Sequence, residues 1–263
     1  MAGVSLLLEG KVALVSGGSR GIGAETVRLF AEAGARVAFS YRQARQQAET
    51  LAAQCGGPGR CVAIKQDLAT PADGHALVAA AVRAFGRMDV LVANHGIWTA
   101  EDAPIEQMAE AQWRQTLAVN LDSVFGLVQA AVAQMDSQNE PPREVAGHIV
   151  LISSTAGQRG EACHADYAVT KGALISLTKS LSSELAPRGI RVNCVAPGWV
   201  ATDMSAAAVG DPELGPKIAA GIPLGRVASA REIAGPILFL CTSLAGFISG
   251  EVLNVNGGAV LVG

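Results

Sequence analysis

Three side chains in the second half of the chain have the types and spacing for proton transfer at a C=O/CH–OH centre. Tyr167 lies thirteen residues after Ser154, and Lys171 four after Tyr167. A phenol titrates near ~10 in water and is a poor acid–base group at neutral pH. An ammonium held beside it favours the phenolate and lowers that value. A serine hydroxyl beside both can hold a carbonyl or alcohol oxygen, and the three together form a general acid–base device. The apolar, β-branched His148–Ser153 reads as a buried strand. Ala168, Leu174, Ile175, Leu177, Leu181 and Leu185 recur at helical spacing. Ser154 is therefore expected at a strand end, and Tyr167 and Lys171 on one helix face, since residues four apart are neighbours there. Tyr-x-x-x-Lys alone is common on helices, so the reading needs a second signal.

That signal is near the N-terminus. The short apolar strand Val12–Ser16 runs into Gly17-Gly18-Ser19-Arg20-Gly21-Ile22-Gly23 and then an apolar helix, Ala24–Ala33. Gly17, Gly21 and Gly23 suit a tight turn and let backbone approach a pyrophosphate, whose charge is favoured at a helix N-terminus. The spacing is G-x-x-x-G-x-G, and a second strand, Arg36–Tyr41, completes a βαβ unit that binds a nucleotide. An acid at the end of that strand would bind a ribose 2′-hydroxyl. Here Tyr41 and Arg42 stand there, and Arg20 lies in the glycine loop. Two guanidiniums near one point make a phosphate clamp, so the expected cofactor is NADP(H). Asp67-Leu68, ending a third strand at Cys61–Lys65, falls where an adenine edge could be read.

The alternation continues. A helix is expected over about Arg45–Gln54, and Thr70-Pro71 opens another that Gly86 stops. The strand Val90–Ala93 leads to Asn94-His95-Gly96, and a long helical region, Ile105–Met135, holds Asn120 among apolar neighbours. Asn120 reads as a satisfied core polar group, or as one that bonds backbone or holds a water near the site. Ser137–Ala146 is a polar loop, and the strand Arg191–Ala196 ends at Pro197-Gly198. Trp199–Gly225 shows no firm periodicity, and a loop of that length suggests a lid. Ser229 and Glu232 form a capping box for a helix to Leu240, Pro236 within it predicts a kink, and Gly250–Val255 is a last strand. Seven strands alternating with helices define an α/β, doubly wound parallel sheet (a Rossmann fold) with helices on both faces, in one domain over 1–263, with 198–225 as the lid. Gly17, Asn94, Ser154 and Pro197 all follow strand ends, so one crevice collects them. Trp98, residues 159–164 and the lid would wall the substrate pocket, with Trp98, His164 and Trp199 as candidate substrate contacts. His95 and His164 either hydrogen-bond a polar substrate or pack structurally. Cys163 reads as a small core or wall residue.

Composition narrows the function. The 263 residues are 50% hydrophobic and 16% charged, enough for a large core. The net charge of -3 argues against nucleic acid or an acidic membrane as partner. Five scattered Cys without a Cys-x-x-Cys pair read as reduced thiols of a cytoplasmic protein. The four His have no metal-ligand spacing. No signal peptide is expected, and no apolar run of membrane-spanning length.

With the glycine loop, Asn120, Ser154, Tyr167, Lys171 and Pro197-Gly198 in hand, the chain closely resembles the classical short-chain dehydrogenase/reductase family, from Lys11 to Gly258. The resemblance implies that Tyr167 is the general acid/base and that Lys171 lowers its pKa and holds the nicotinamide ribose. Ser154 would orient the substrate oxygen and Asn120 position a water in a proton relay. Thr202 would contact the nicotinamide carboxamide, and Arg20 and Arg42 match positions that mark NADPH-preferring members. Ser19, Ile22, Asn94, Gly96 and Val200 complete the implied cofactor contacts. Family members are commonly homotetramers. The nearest subgroup looks like the 3-oxoacyl-[acyl-carrier-protein] reductases, through Ile222-Pro223-Leu224-Gly225-Arg226 and the glycine loop. His95 and His164 replace residues usual in that subgroup. Acyl carrier protein is a candidate partner: Arg188 matches one of two basic docking residues, and Arg143 lies near the other, which falls at Val145. The leading function is NADPH-dependent reduction of a small-molecule ketone, with 3-oxoacyl thioesters foremost. An NAD(P)-dependent sugar, polyol or steroid alcohol dehydrogenase is the second reading. Outside catalysis, the chain would be an NADPH-binding regulator.

Overall fold

The computed structural model describes residues 6–139, 141 and 143–262. Glu140 and Pro142 of the polar loop lie outside the described residues. Seven parallel strands form one sheet: β1 (Val12–Val15), β2 (Arg36–Tyr41), β3 (Cys61–Lys65), β4 (Val90–Ala93), β5 (Gly147–Ile152), β6 (Ile190–Pro197) and β9 (Val252–Val255). Their order is β3-β2-β1-β4-β5-β6-β9, with every neighbouring pair parallel. The order reverses between β1 and β4, and the carboxyl ends there open the crevice in which such sheets bind ligands. The doubly wound fold read from the sequence is the one observed.

Alternation along the strands divides the core, because successive strand side chains point to opposite faces. Ala13 and Val15 face Val27 and Phe30 of α1 (Gly21–Glu32), Leu51 of α2 (Arg45–Gln54), and Ile233 and Ile237 of α10 (Ala230–Leu240). Val12 and Leu14 face Leu77 of α3 (Pro71–Phe85), Leu127 of α5 (Ser123–Ser137) and Leu174 of α7 (Ala165–Leu185). Local signals set the helix ends. Thr70 and Asp73 form a capping box with Pro71 at the first position, and Gly86 closes α3 in the left-handed region at φ 78°. Ser229 and Glu232 cap α10, which continues through Pro236.

Three expectations are corrected. The helical region begins at Glu110, not Ile105: α4 (Glu110–Leu117) passes through a π-helical turn, Ala118–Asp122, into α5. That whole stretch, Glu110–Ser137, is long and apolar enough to cross a membrane by length and composition, with a mean hydropathy of 1.4 over 18 residues. Half of that window is buried against the protein's own core, the ordinary condition of a central helix in this fold. The lid is not irregular: it carries a two-residue strand β7 (Val200–Ala201), paired with β8 (Ala228–Ser229), and two short helices, α8 (Ala206–Gly210) and α9 (Leu214–Ala220). Helices of five and seven residues are too short to leave a periodic signature.

Candidate active site

The glycine loop is built as the spacing requires. Gly17 and Gly21 take φ of +65° and +56°, and a Cβ on Gly23 would lie 2.2 Å from the Gly17 carbonyl oxygen. Asn94 props the turn from β4: its Nδ2 donates to the carbonyls of Ser16 and Gly17, both at 3.1 Å. Gly17 N donates to Ser40 Oγ at 2.9 Å, a tie to β2 that sequence reading missed because Ser40 carries no motif. One cleft of about 400 Å³ then runs across the carboxyl ends of the strands. Gly17, Ser19, Arg20, Gly21, Ile22, Tyr41, Arg42, Asp67 and Leu68 line one end. Asn94, Gly96, Ser154, Tyr167, Lys171, Pro197, Gly198, Val200 and Thr202 line the rest, with Trp98 and Trp199 beyond. Gly23 lies behind the turn, outside that lining. A loop that excludes a Cβ at the start of a long helix, with basic residues at the far end, fits a dinucleotide by donor chemistry and shape.

Arg20 and Arg42 reach this cleft already paired. Arg20 contacts Asp203 of the lid at 3.5 Å, and Arg42 contacts Asp67 at 3.3 Å. Asp203 was missed, because only the returning lid brings it to the glycine loop.

Ser154, two residues beyond β5, is in extended conformation and caps the short α6 (Thr155–Arg159), accepting from Ala156 N at 3.1 Å. Tyr167 and Lys171 project from one face of α7, with Lys171 Nζ 5.6 Å from the centre of the Tyr167 ring. Lys171 is buried, at 4% exposure, and donates to the Ile152 carbonyl at 2.8 Å. Burial lowers its pKa from 10.5 to about 8. Burial raises the Tyr167 phenol to about 12, against the opposing pull of the Ser154 hydroxyl and with the repulsion of Glu161 added. Lys171 is not among the groups that shift the phenol. The ammonium is turned to the Ile152 carbonyl, and desolvation is the largest influence on the phenol.

Asn120 does not line the cleft. Its amide pairs with the backbone of Ile97, accepting from Ile97 N at 2.8 Å and donating to Ile97 O at 2.9 Å, with a further bond to Thr170 Oγ1 at 3.3 Å. Its side chain is the satisfied core group and ties the π-helical turn to the loop after β4. His95 is also structural. Its Nδ1 meets Ser16 Oγ at 2.7 Å, and its Nε2 meets Ser123 Oγ at 2.7 Å and the Val119 carbonyl at 3.1 Å. Ser123 Oγ donates to Val119 O, so the consistent tautomer carries its proton on Nε2 and accepts from Ser16 on Nδ1. Burial holds His95 down at about 3. His164 lies behind the pocket wall, both ring nitrogens directed at carbonyls of Ala162 and Thr99, its ring stacked 5.0 Å from Trp98. The substrate contact expected of His164 is thus replaced by support for Trp98. Cys163, at φ 63°, is outside the cleft lining.

A dinucleotide-shaped cleft that brings a Ser–Tyr–Lys cluster against the glycine turn defines a nicotinamide-dependent oxidoreductase. Residues 17–260 match the family model described as enoyl-(acyl carrier protein) reductase. The chain is 37% identical to the 3-oxoacyl-[acyl-carrier-protein] reductase FabG of Vibrio cholerae, over 97% of this chain and 99% of that protein. Among solved structures it is similar to a Brucella melitensis short-chain dehydrogenase/reductase titled glucose/ribitol dehydrogenase: 34% identity, TM-score 0.88, covering 98% of this chain and 100% of that one. A 3-ketoacyl-(acyl-carrier-protein) reductase of Brucella melitensis, complexed with NADH, matches with 31% identity and TM-score 0.87, again over 98% and 100%. The chain belongs to the short-chain dehydrogenase/reductase family.

Proposed function

We propose that the protein reduces a ketone to an alcohol with NADPH, with 3-oxoacyl thioesters the substrate class its FabG relatives support. The observation that carries the reading is Tyr167 at the cleft wall beside Ser154 and Lys171. A bound nicotinamide supplies the hydride that the carbonyl carbon receives. The Ser154 hydroxyl donates to the carbonyl oxygen and orients it. Tyr167 Oη gives that oxygen its proton as negative charge develops there. A phenol held at about 12 keeps its proton at neutral pH, which suits donation. Lys171, at about 8, remains mostly protonated at neutral pH and holds positive charge at the floor of the cleft.

The choice of NADPH is supported by Arg20 and Arg42 at the cleft's far end. Their ion pairs with Asp203 and Asp67 are exposed and individually weak, so a 2′-phosphate dianion competes for both guanidiniums. Docking of acyl carrier protein draws little support. Arg188 is held by Asp136, and Arg143 by Asp89 at 3.6 Å with the Ala146 carbonyl. Exposed Phe125 on α5, Val169 on α7 and Phe247 before β9 support assembly into a homotetramer through two apolar faces. The five free thiols fit a cytoplasmic setting.

The test is Tyr167→Phe. It should keep NADPH binding, read by nucleotide fluorescence, and lose at least ~10²-fold in turnover. Near wild-type turnover would overturn the assignment.

A further inference from the structure

Asp166 stands one residue before Tyr167 and is 1% exposed, yet it does not line the cleft. Among the described residues it forms no ion pair. Its Oδ2 takes two bonds, both from α4: Thr116 Oγ1 donates at 2.7 Å and Gln112 Nε2 at 3.2 Å. Its Oδ1 is buried and has no hydrogen-bond partner among the described residues. An acid in the first turn of a helix ordinarily serves that helix, by capping its free amides or facing its dipole. Here α7 has no side-chain cap, and the carboxylate is bonded across to the neighbouring helix instead. A buried carboxylate with one oxygen unmatched costs stability. A cost of that kind, next to the residue that moves the proton, is spent on the site rather than on the fold.

The bracing continues to the substrate side. Gln112 Nε2 also donates to Thr99 Oγ1 at 3.4 Å, in the loop that carries Trp98 on the cleft wall. On the other flank of Tyr167, Thr170 Oγ1 donates to the Tyr167 carbonyl at 2.8 Å and accepts from Asn120, which holds Ile97 of the same loop. Tyr167 therefore lies between two ties, at Asp166 and Thr170, that lead to one loop.

We propose that Asp166 is a positioning residue for the reaction. With Thr116 and Gln112 it fixes the first turn of α7 against α4 and the Trp98 loop, and so sets where Tyr167 Oη stands relative to a ketone held on that wall. It acts through Tyr167 and lies outside the surface that substrate and cofactor touch. This rests on the reading of Tyr167 as the proton donor and adds the group that aims it.

The experiment is a double-mutant cycle in kcat, with NADPH and a 3-oxoacyl N-acetylcysteamine thioester. Asp166→Leu keeps the size of the side chain and loses both bonds from α4. It should lower kcat by ~10-fold or more, since a misplacement of about 1 Å costs roughly 10²-fold, and leave the KM for NADPH near the wild-type value. Asp166→Asn keeps an acceptor for Thr116 and should restore most of the rate. In the Tyr167→Phe background Asp166→Leu should cost nothing further, because no phenol is left to aim. Thr116→Val removes the shorter bond from the other side and should lower kcat in the same direction. It decides the matter if Asp166→Leu does not fold, which thermal melting and nucleotide fluorescence report. An unchanged kcat in the folded variant overturns the inference. So does an equal fold-loss in the Tyr167→Phe background, or an Asn variant as slow as the Leu one. All three leave the reductase reading intact. Near wild-type turnover by Tyr167→Phe alone removes the proton-donor reading itself, and this inference with it.

Discussion

Replacing Lys171 by Met should stabilise the fold at neutral pH while abolishing turnover. The folded-state pKa of Lys171 is depressed from 10.5 to about 8, chiefly by burial. Below pH 8 folded and unfolded chains both carry the proton, and the folded one bears the full penalty of burying it. Between about 8 and 10.5 the unfolded chain binds a proton that the folded one has released, so stability rises with pH. Above 10.5 the penalty is gone. The displacement from 10.5 to about 8 is worth roughly 3 kcal/mol. Methionine removes that penalty and also the hydrogen bond to Ile152 O, which for the neutral amine is worth roughly 0.5–1.5 kcal/mol. The balance at pH 7 favours the variant by about 2 kcal/mol, or about 4–8 °C in Tm for a chain of this size. At pH 10.5 only the lost hydrogen bond remains, and the order reverses. Urea unfolding of both proteins at pH 7, 9 and 10.5 measures this. The buried thiol of Cys194 and the phenol of Tyr167 titrate above this window, at about 11 and about 12, and largely cancel in the difference. A pH-independent difference, or a variant less stable at pH 7, would refute the picture of an ammonium buried at the expense of stability. Such an arrangement is what a site kept for chemistry rather than for folding looks like.

Other outcomes follow from the same geometry. Arg42→Ala should raise the KM for NADPH at least ~10-fold and leave that for NADH nearly unchanged, since one charge-assisted phosphate contact is worth about 1.5–3 kcal/mol; a parallel change in both would remove the phosphate role. Burial depresses His95 and His148 from 6.5 to about 3 and about 4, so the unfolded chain binds more protons below pH 6.5 and stability falls as pH drops towards 4. His95→Asn should make that fall shallower, measured by urea midpoints from pH 7 to 4.5, and an unaltered slope would contradict the buried neutral imidazole. Gly157 lets α6 lie against α7: a Cβ there would sit 2.5 Å from the backbone carbon of Lys171. Gly157→Ala should therefore displace Ser154 from Tyr167, lowering kcat by ~10-fold or more for a stability loss of about 1–3 kcal/mol, read by steady-state kinetics beside thermal melting.

Where a property depends on neighbours along the chain, the sequence by itself determined it. Short apolar runs and period-3.6 apolar patterns laid out seven strands and their helices, the glycines marked the turn at α1, and Thr70, Gly86 and Ser229 marked helix ends, because each acts within a few residues. Ser154, Tyr167 and Lys171 were legible for the same reason, since a strand end and one helix turn fix two of their three relations. The tertiary structure alone decided what each polar group faces. Asn120 closed on the backbone of Ile97, His95 on two serines from distant elements, and His164 on Trp98, leaving none of them free for substrate. It also set the charges: burial lowered the Lys171 ammonium and raised the Tyr167 phenol, and the returning lid brought Asp203 to Arg20. Hydrogen-bond partners and desolvation come from segments up to a hundred and more residues apart, and no local pattern encodes which of them arrive.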